Sequence, residues 1–239
     1  MAYTILATWD FRTATSATGR ASRIGSYTLT EGGTPTWSSS GVDCSASASN
    51  KLTLTLDTAL KVSPVWWVAG MRLITGTTPA DYTTIVGLTK SNTGEYERAL
   101  LLWRNASTTG LGCAYGGTID DVGTGVTLST GADITIAARR TGTSNPAFGV
   151  KVNSDAWDSG LVGGSPVDYT STSQLVFGSI GAQNSYMRYH WFIMGDGAIT
   201  DGEVDAILAN PDAYIYGSGG GPDAATLLAY RKNILRMVD

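Results

Sequence analysis

One histidine, His190, and two cysteines, Cys44 and Cys113, are all that this 239-residue chain offers of the side chains most used for metal binding and proton relay. A single histidine excludes a multi-histidine zinc site and a relay that needs a second imidazole. Two cysteines 69 positions apart are too few for a disulfide framework and lack the short spacings of metal sites. Both are expected to be buried apolar thiols; an oxidising exterior would allow them to pair. Charge is also in short supply. Sixteen basic residues against twenty acidic ones give a net charge of −4, which leaves no electrostatic footprint for nucleic acid or anionic lipid. The longest apolar run, Val65 to Met71, is far too short to span a bilayer. The opening residues MAYTILATWDF lack the basic and apolar regions of a secretory signal, so the expectation is a soluble protein made in a cytoplasm.

What the chain has in plenty is glycine, serine, threonine and aromatics: 30 Gly, 11 Tyr and 7 Trp. Such a composition favours strands and tight turns over helices. KLTLTLD, Lys51 to Asp57, alternates strictly, with Leu52, Leu54 and Leu56 on one face. VWWVAGMRLI, from Val65, is apolar on both faces and predicts a central strand covered on both sides. Further strands are expected at 83–88, 99–104, 111–115, 134–140, 148–153, 175–180 and 186–194. They are separated by the turn clusters SNTGE, NASTTG, GGTIDDVGTG, TGTSNP and LVGGSP. Short strands at even spacing with no helical period between them point to one antiparallel sandwich or barrel.

The pattern changes twice. In TDGEVDAILANP, Thr200 and Glu203 form a capping box, Val204, Ile207 and Leu208 follow at helical spacing, and Asn210-Pro211 closes a short helix. After the glycine linker 217–221 comes PDAATLLAYRKNILRMVD. Pro222 suits a first helical turn, Arg231, Lys232 and Arg236 sit towards the negative end, and Leu227, Leu228, Ile234, Leu235 and Val238 form an apolar stripe. The organisation read from sequence is therefore a β-sandwich over 1–216, a linker over 217–221 and a C-terminal amphipathic helix over 222–239. That stripe needs a surface, because a short isolated helix is marginal in water. Either it folds back on its own domain or it docks on a partner through Leu227, Leu228, Arg231, Ile234, Leu235 and Val238.

Two segments carry a resemblance. RIGSYTLTEGGTPTWSSSGVDC near the start and WFIMGDGAITDGEVDAILANP near the end, a strand, a turn and a short capped helix, are similar to the opening and closing of laminin-G-like members of the concanavalin A-like superfamily. The versions they most resemble occur in tailed-phage virion proteins; the middle of the chain matches only as alternating strands. The resemblance implies an all-β, two-sheet antiparallel jelly-roll sandwich with one short capping helix over an open end of the sandwich. It further implies a non-enzymatic virion structural protein, a capsid decoration or tail-associated binding module assembled in a host cytoplasm. Its partners would be other virion proteins such as the major capsid protein, or further copies of itself. A carbohydrate-binding lectin module is the alternative, and a polysaccharide-degrading enzyme the third reading.

Each chemistry-bearing residue also has a plainer role. Polysaccharide cleavage needs two carboxylates on opposite sides of the glycosidic bond; Glu95 and Glu97 come nearest, but NTGEYER lacks the spacing of such enzymes and reads as a hairpin. His190, among aromatics in YMRYHWFIM, reads as a hydrogen-bonded strand histidine. No catalytic residue, resident metal or cofactor is expected. The one exception is calcium at Asp120-Asp121, set against a plain acidic turn; DGAITDGEVD fails the spacing of a calcium loop. Sugar stacking would use exposed aromatics. Trp66, Trp67, Tyr189 and Trp191 read as core, whereas Trp103, Tyr115 and Trp157 border loops and are the candidate carbohydrate-binding residues.

Overall fold

The alternation of KLTLTLD becomes a strand in which Leu52 and Leu54 are buried and Thr53 faces away. In the computed structural model, the residues described are 3–62, 64–74, 83–89, 98–104, 111–115, 118–120, 130–141, 147–157, 174–178 and 185–217. Along the chain the strands are β1 (Thr4–Asp10), β2 (Thr30–Gly32), β3 (Thr36–Ser38), β4 (Gly41–Asp43), β5 (Lys51–Thr55), β6 (Val65–Leu73) and β7 (Thr83–Thr89). They continue as β8 (Arg98–Arg104), β9 (Leu111–Tyr115), β10 (Thr118–Asp120), β11 (Asp133–Thr141), β12 (Ala147–Val152), β13 (Gln174–Gly178) and β14 (Met187–Asp196). Among the described residues three short helices accompany them: α1 (Ser16–Arg20), α2 (Asp201–Ala209) and α3 (Pro211–Ile215).

Among the described residues these strands form two antiparallel sheets. The first runs β12-β11-β6-β14-β4-β3, with β1 sharing the far edge of β14; the second runs β10-β9-β8-β7-β13-β5-β2. The main core lies between them. From the first sheet Val65, Trp67, Ala69, Met71 and Leu73 face inwards, with Ile134, Ile136, Tyr189, Phe192 and Met194. Leu52, Leu54, Ile85, Leu88, Leu175 and Phe177 face them from the second. Fully removing the larger of these aliphatic and phenylalanine side chains from water contributes roughly 1.5–3 kcal/mol each, the main force holding the sheets together. The expected all-β, two-sheet sandwich is the fold observed.

The apolar run at the start of VWWVAGMRLI is covered on both faces, Trp67 and Ala69 by the core and Trp66 and Val68 by the outer layer, whereas Arg72 faces outwards. The second layer differs from expectation, however. Val204, Ile207 and Ile215 of α2 and α3 do not plug an open end of the sandwich; they lie on the outer face of the first sheet against Trp66, Val68, Ala137, Trp191 and Ile193. A helix stripe seeks the largest apolar surface available, and the outward residues of β6 and β14 supply it. Two ion pairs, Arg139–Asp201 at 2.8 Å and Lys151–Asp205 at 2.6 Å, fasten α2 over β11 and β12.

Other corrections are local. Asn210-Pro211 ends α2 but starts a second helix, because proline at a first helical position loses no hydrogen bond. Thr118–Asp120, expected within a turn cluster, pairs with β9 as a strand. The segment 218–239, with the linker beyond Gly217 and the C-terminal stripe, lies outside the described residues, as do Glu95, Glu97 and Asp121.

The capping box forms as read. The Glu203 N–H donates to Thr200 Oγ1 at 3.3 Å, and the Thr200 N–H donates to Glu203 Oε2 at 2.7 Å. Thr200→Ala is expected to cost about 1 kcal/mol. For a domain of this size that lowers the melting temperature by roughly 2–4 °C, readable by calorimetry. An unchanged melting temperature would show that packing alone holds α2.

Candidate functional site

Among the described residues, the helices cover one part of the outer face of the first sheet. Beside them lies a cleft of about 380 Å³ lined by residues from β6, β11 and β14, by Ser40 of the β3–β4 turn and by Arg12 just after β1. Its floor arises from a break in strand alternation. Opposite β6, the pairing slips between Tyr189 and Trp191, a β-bulge centred on His190. Tyr189 points into the core and Phe192 follows it inwards, while His190 and Trp191 both face the cleft side. A bulge places two consecutive side chains on one face, which regular strand geometry forbids.

Trp191 pairs across the sheet with Gly70, and its indole lies so close over the Gly70 backbone that any Cβ there would collide with it. Glycine is required at this position by the approach of the ring. Gly195 under the Trp66 indole repeats the arrangement at the helix-covered end.

One row further along, four charged residues stand in register across four adjacent strands. Asp133 of β11 faces Arg72 of β6, Arg72 faces Arg188 of β14, and Arg188 faces Asp43 of β4. The Arg72 Nε donates to Asp133 Oδ1 at 2.6 Å, and Arg188 Nη2 donates to Asp43 Oδ2 at 3.3 Å. The Arg72 hydrogen bond, against a smaller opposing effect of burial, and the nearby His190 hold the Asp133 carboxyl below its usual range. The Arg188 Nε is buried and has no hydrogen-bond partner among the described residues.

His190 bridges this row to the turn above. Its Nδ1 lies 2.5 Å from the Ser40 carbonyl oxygen and its Nε2 lies 3.1 Å from Asp133 Oδ1. Both partners are acceptors, so a neutral ring satisfies one of them and an imidazolium both. The expected hydrogen-bonded strand histidine is what the structure shows. Arg12 is held from behind: Nε donates to Asp10 Oδ1 at 2.8 Å and Nη2 to Asp212 Oδ1 at 2.5 Å.

Of the aromatics singled out from sequence, Trp66, Trp67, Tyr189 and Trp191 are buried as expected. Trp103 and Tyr115 lie on β8 and β9 of the opposite sheet, and only their backbone placement is described. Trp157 is half-buried, with the Arg139 guanidinium 4.0 Å from its ring centroid, and does not line the cleft. Arg12, Arg72, Asp133 and Arg188 do not stand out as site residues in the sequence. Their one sequence signal is a charged residue at an outward position of an otherwise apolar strand, as Arg72 in VWWVAGMRLI. Cys44 is a buried free thiol, pushed up by burial above all. Asp196 ends β14, while Asp201 and Asp205 are engaged in the ion pairs to Arg139 and Lys151. Among the described residues no group of three or more His, Cys, Asp or Glu is placed to hold a metal, and no helix is long and apolar enough to cross a membrane.

As a sequence the chain matches no known family model and no curated protein. Its fold does match solved structures. Trypanosoma rangeli sialidase, as its covalent 2,3-difluorosialic acid intermediate, superposes with a TM-score of 0.67 at 8% identity over 90% of this chain and 33% of that one. Domain 4 of the extracellular arabinanase AbnA of Geobacillus stearothermophilus, in complex with arabinotriose, gives 0.59 at 16% identity over 87% of this chain and the whole of that one. The receptor-binding domain of botulinum neurotoxin type G gives 0.55 at 9% over 86% of this chain and 51% of that one. The chain thus spans about a third of the sialidase. At these identities the likeness establishes a shared β-sandwich fold, and the chemistry has to be read from this chain's own residues.

Proposed function

We propose that this chain is a non-enzymatic glycan-binding module whose site is the cleft on the outer face of the first sheet. The observation that carries the reading is the cleft's lining. Fixed guanidinium donors, a carboxylate acceptor, Thr135 and Ser40 surround the edge of the Trp191 indole, the mixture of rigid hydrogen-bonding groups and apolar ring that recognises a sugar. Much of this lining is held in place before any ligand arrives, through Asp133, Asp43, Asp10 and Asp212, which lowers the ordering cost of binding. The arabinotriose-bound arabinanase domain and the toxin receptor-binding domain share the fold and lend the reading support.

Binding is favoured over turnover because, among the described residues, the cleft lining holds one carboxylate, Asp133, where most glycoside hydrolases use two. Asp133 is also held ionised beside Arg72, the wrong state for a general acid. His190 has a protein acceptor against each ring nitrogen, Ser40 O and Asp133 Oδ1.

The finer reading places the module in a tailed-phage virion, on the capsid or the tail, where glycan adhesion would serve attachment to a cell surface. It rests on the resemblance of the closing segment, which folds as the expected strand, turn and capped helix. A glycan array tests the main reading. Saturable binding that falls at least tenfold in Asp133→Ala, and not in the opposite-sheet control Thr53→Ala, is expected. No binder on the array, together with saturable uptake by capsids, would instead favour decoration without glycan recognition.

A further inference from the structure

Resting on the glycan-binding reading, we infer that the saccharide this cleft takes carries a carboxylate, seated between Arg72 and Arg188. The two arginines stand directly opposite each other on neighbouring strands β6 and β14. Like charges in that position repel and weaken the pairing of the strands. A protein of net charge −4 has no shortage of neutral or acidic residues to put there. The row reads acid, base, base, acid, so the two carboxylates attach to the outer sides of the arginine pair and leave its middle positive.

The pair is also incompletely satisfied. Asp133 takes the Arg72 Nε at 2.6 Å, but Arg188 reaches Asp43 only at 3.3 Å through Nη2. Its Nε finds no hydrogen-bond partner among the described residues. Asp43 is committed elsewhere, its Oδ1 accepting from the Ser45 N–H at 2.8 Å and hydroxyl at 2.6 Å. Planar guanidinium groups match a carboxylate in two parallel hydrogen bonds, and a ligand carboxylate between them would relieve the Arg72–Arg188 repulsion on binding. Thr135 and Ser40, which line the same cleft, then meet the hydroxyls of the sugar ring. Asp133, on the outer side of Arg72, disfavours a second negative charge beside the first, so one isolated carboxylate per bound residue fits better than a densely charged chain.

An array that pairs uronates and other sugar acids with their methyl esters, which keep every hydroxyl and lose only the charge, tests the assignment on the 239-residue chain. Sugar acids are expected among the binders, with esterification lowering affinity at least tenfold. Arg188→Gln should cause a similar loss for the acid and a clearly smaller one for the ester, and Arg72→Gln provides the same readout from the neighbouring strand. Neutral saccharides as the best binders, or esters that bind as well as acids, would overturn the carboxylate assignment and leave glycan binding standing. Binding of no saccharide of either kind would remove both.

Discussion

Tyr189→Phe is expected to destabilise the domain by about 3 kcal/mol, although it removes a single oxygen atom. The phenol is fully buried between the two sheets. Its hydroxyl donates to the Ile85 carbonyl at 2.5 Å and accepts from the Gly178 N–H at 2.8 Å, so one side chain of β14 ties together β7 and β13 of the facing sheet. Burial pushes the phenol well above its usual range and keeps it a neutral donor. Phenylalanine would fill the same space yet leave a carbonyl and an N–H without that partner, each costing about 1–3 kcal/mol when buried. At roughly 2–4 °C per kcal/mol, melting should begin markedly earlier, with a lower urea midpoint and an unchanged slope. A loss below about 0.5 kcal/mol, the lower end for a single hydrogen bond, would mean that water or a neighbouring group takes over both bonds.

Asp10→Ala is expected to cost about 2 kcal/mol near neutral pH, as loss of a buried acceptor of charged hydrogen bonds does, and to flatten the pH dependence of stability on both sides. Asp10 is 5% exposed and accepts from the Arg12 backbone N–H at 3.0 Å, from Arg12 Nε at 2.8 Å and from the Tyr216 hydroxyl at 2.6 Å. Burial by itself raises the Asp10 carboxyl, but the hydrogen bonds and charge of Arg12, with the Tyr216 hydroxyl, outweigh it and bring the group below its usual range. Tyr216 moves the other way, pushed up to about 12 by burial and by the Asp10 carboxylate. A lowered acid contributes stability above its unfolded value, about 4, and loses it as pH falls through the folded one. A raised phenol contributes below its unfolded value, about 10, and loses that stability as pH climbs through about 12. The wild-type urea midpoint should therefore form a plateau between about pH 4 and 10 and fall at both ends. The variant should begin lower and fall less. A variant curve parallel to the wild type at all pH values would show that this cluster carries no titration-linked stability.

Segments whose own composition dictates their environment are legible in the sequence alone. KLTLTLD can bury only its leucines, VWWVAGM has no polar face to expose, and Thr200 with Glu203 satisfies the first turn of a helix from within three residues. β1 is less legible, because TILATWD alternates poorly and its pairing with β14 is interrupted by a shift between Ile5 and Ala7. The His190 bulge is hidden in the same way. In YMRYHWFIM the outward pair His190 and Trp191 looks like a lapse in alternation until β6 is set beside it, when the slipped register turns both towards the cleft.

What the sequence by itself determined is the all-β class, the doubly covered central strand and the capped helix, since each follows from the water affinity and hydrogen-bonding needs of neighbouring residues. What only the tertiary structure decided is where that helix lies and which charges meet. Asp133, Arg72, Arg188 and Asp43 come from segments as far apart as 145 positions, and they form a row solely because strand register aligns them. Register is set by long-range pairing and a one-residue slip turns a side chain to the other face, so no local pattern could have shown that these four side chains stand side by side.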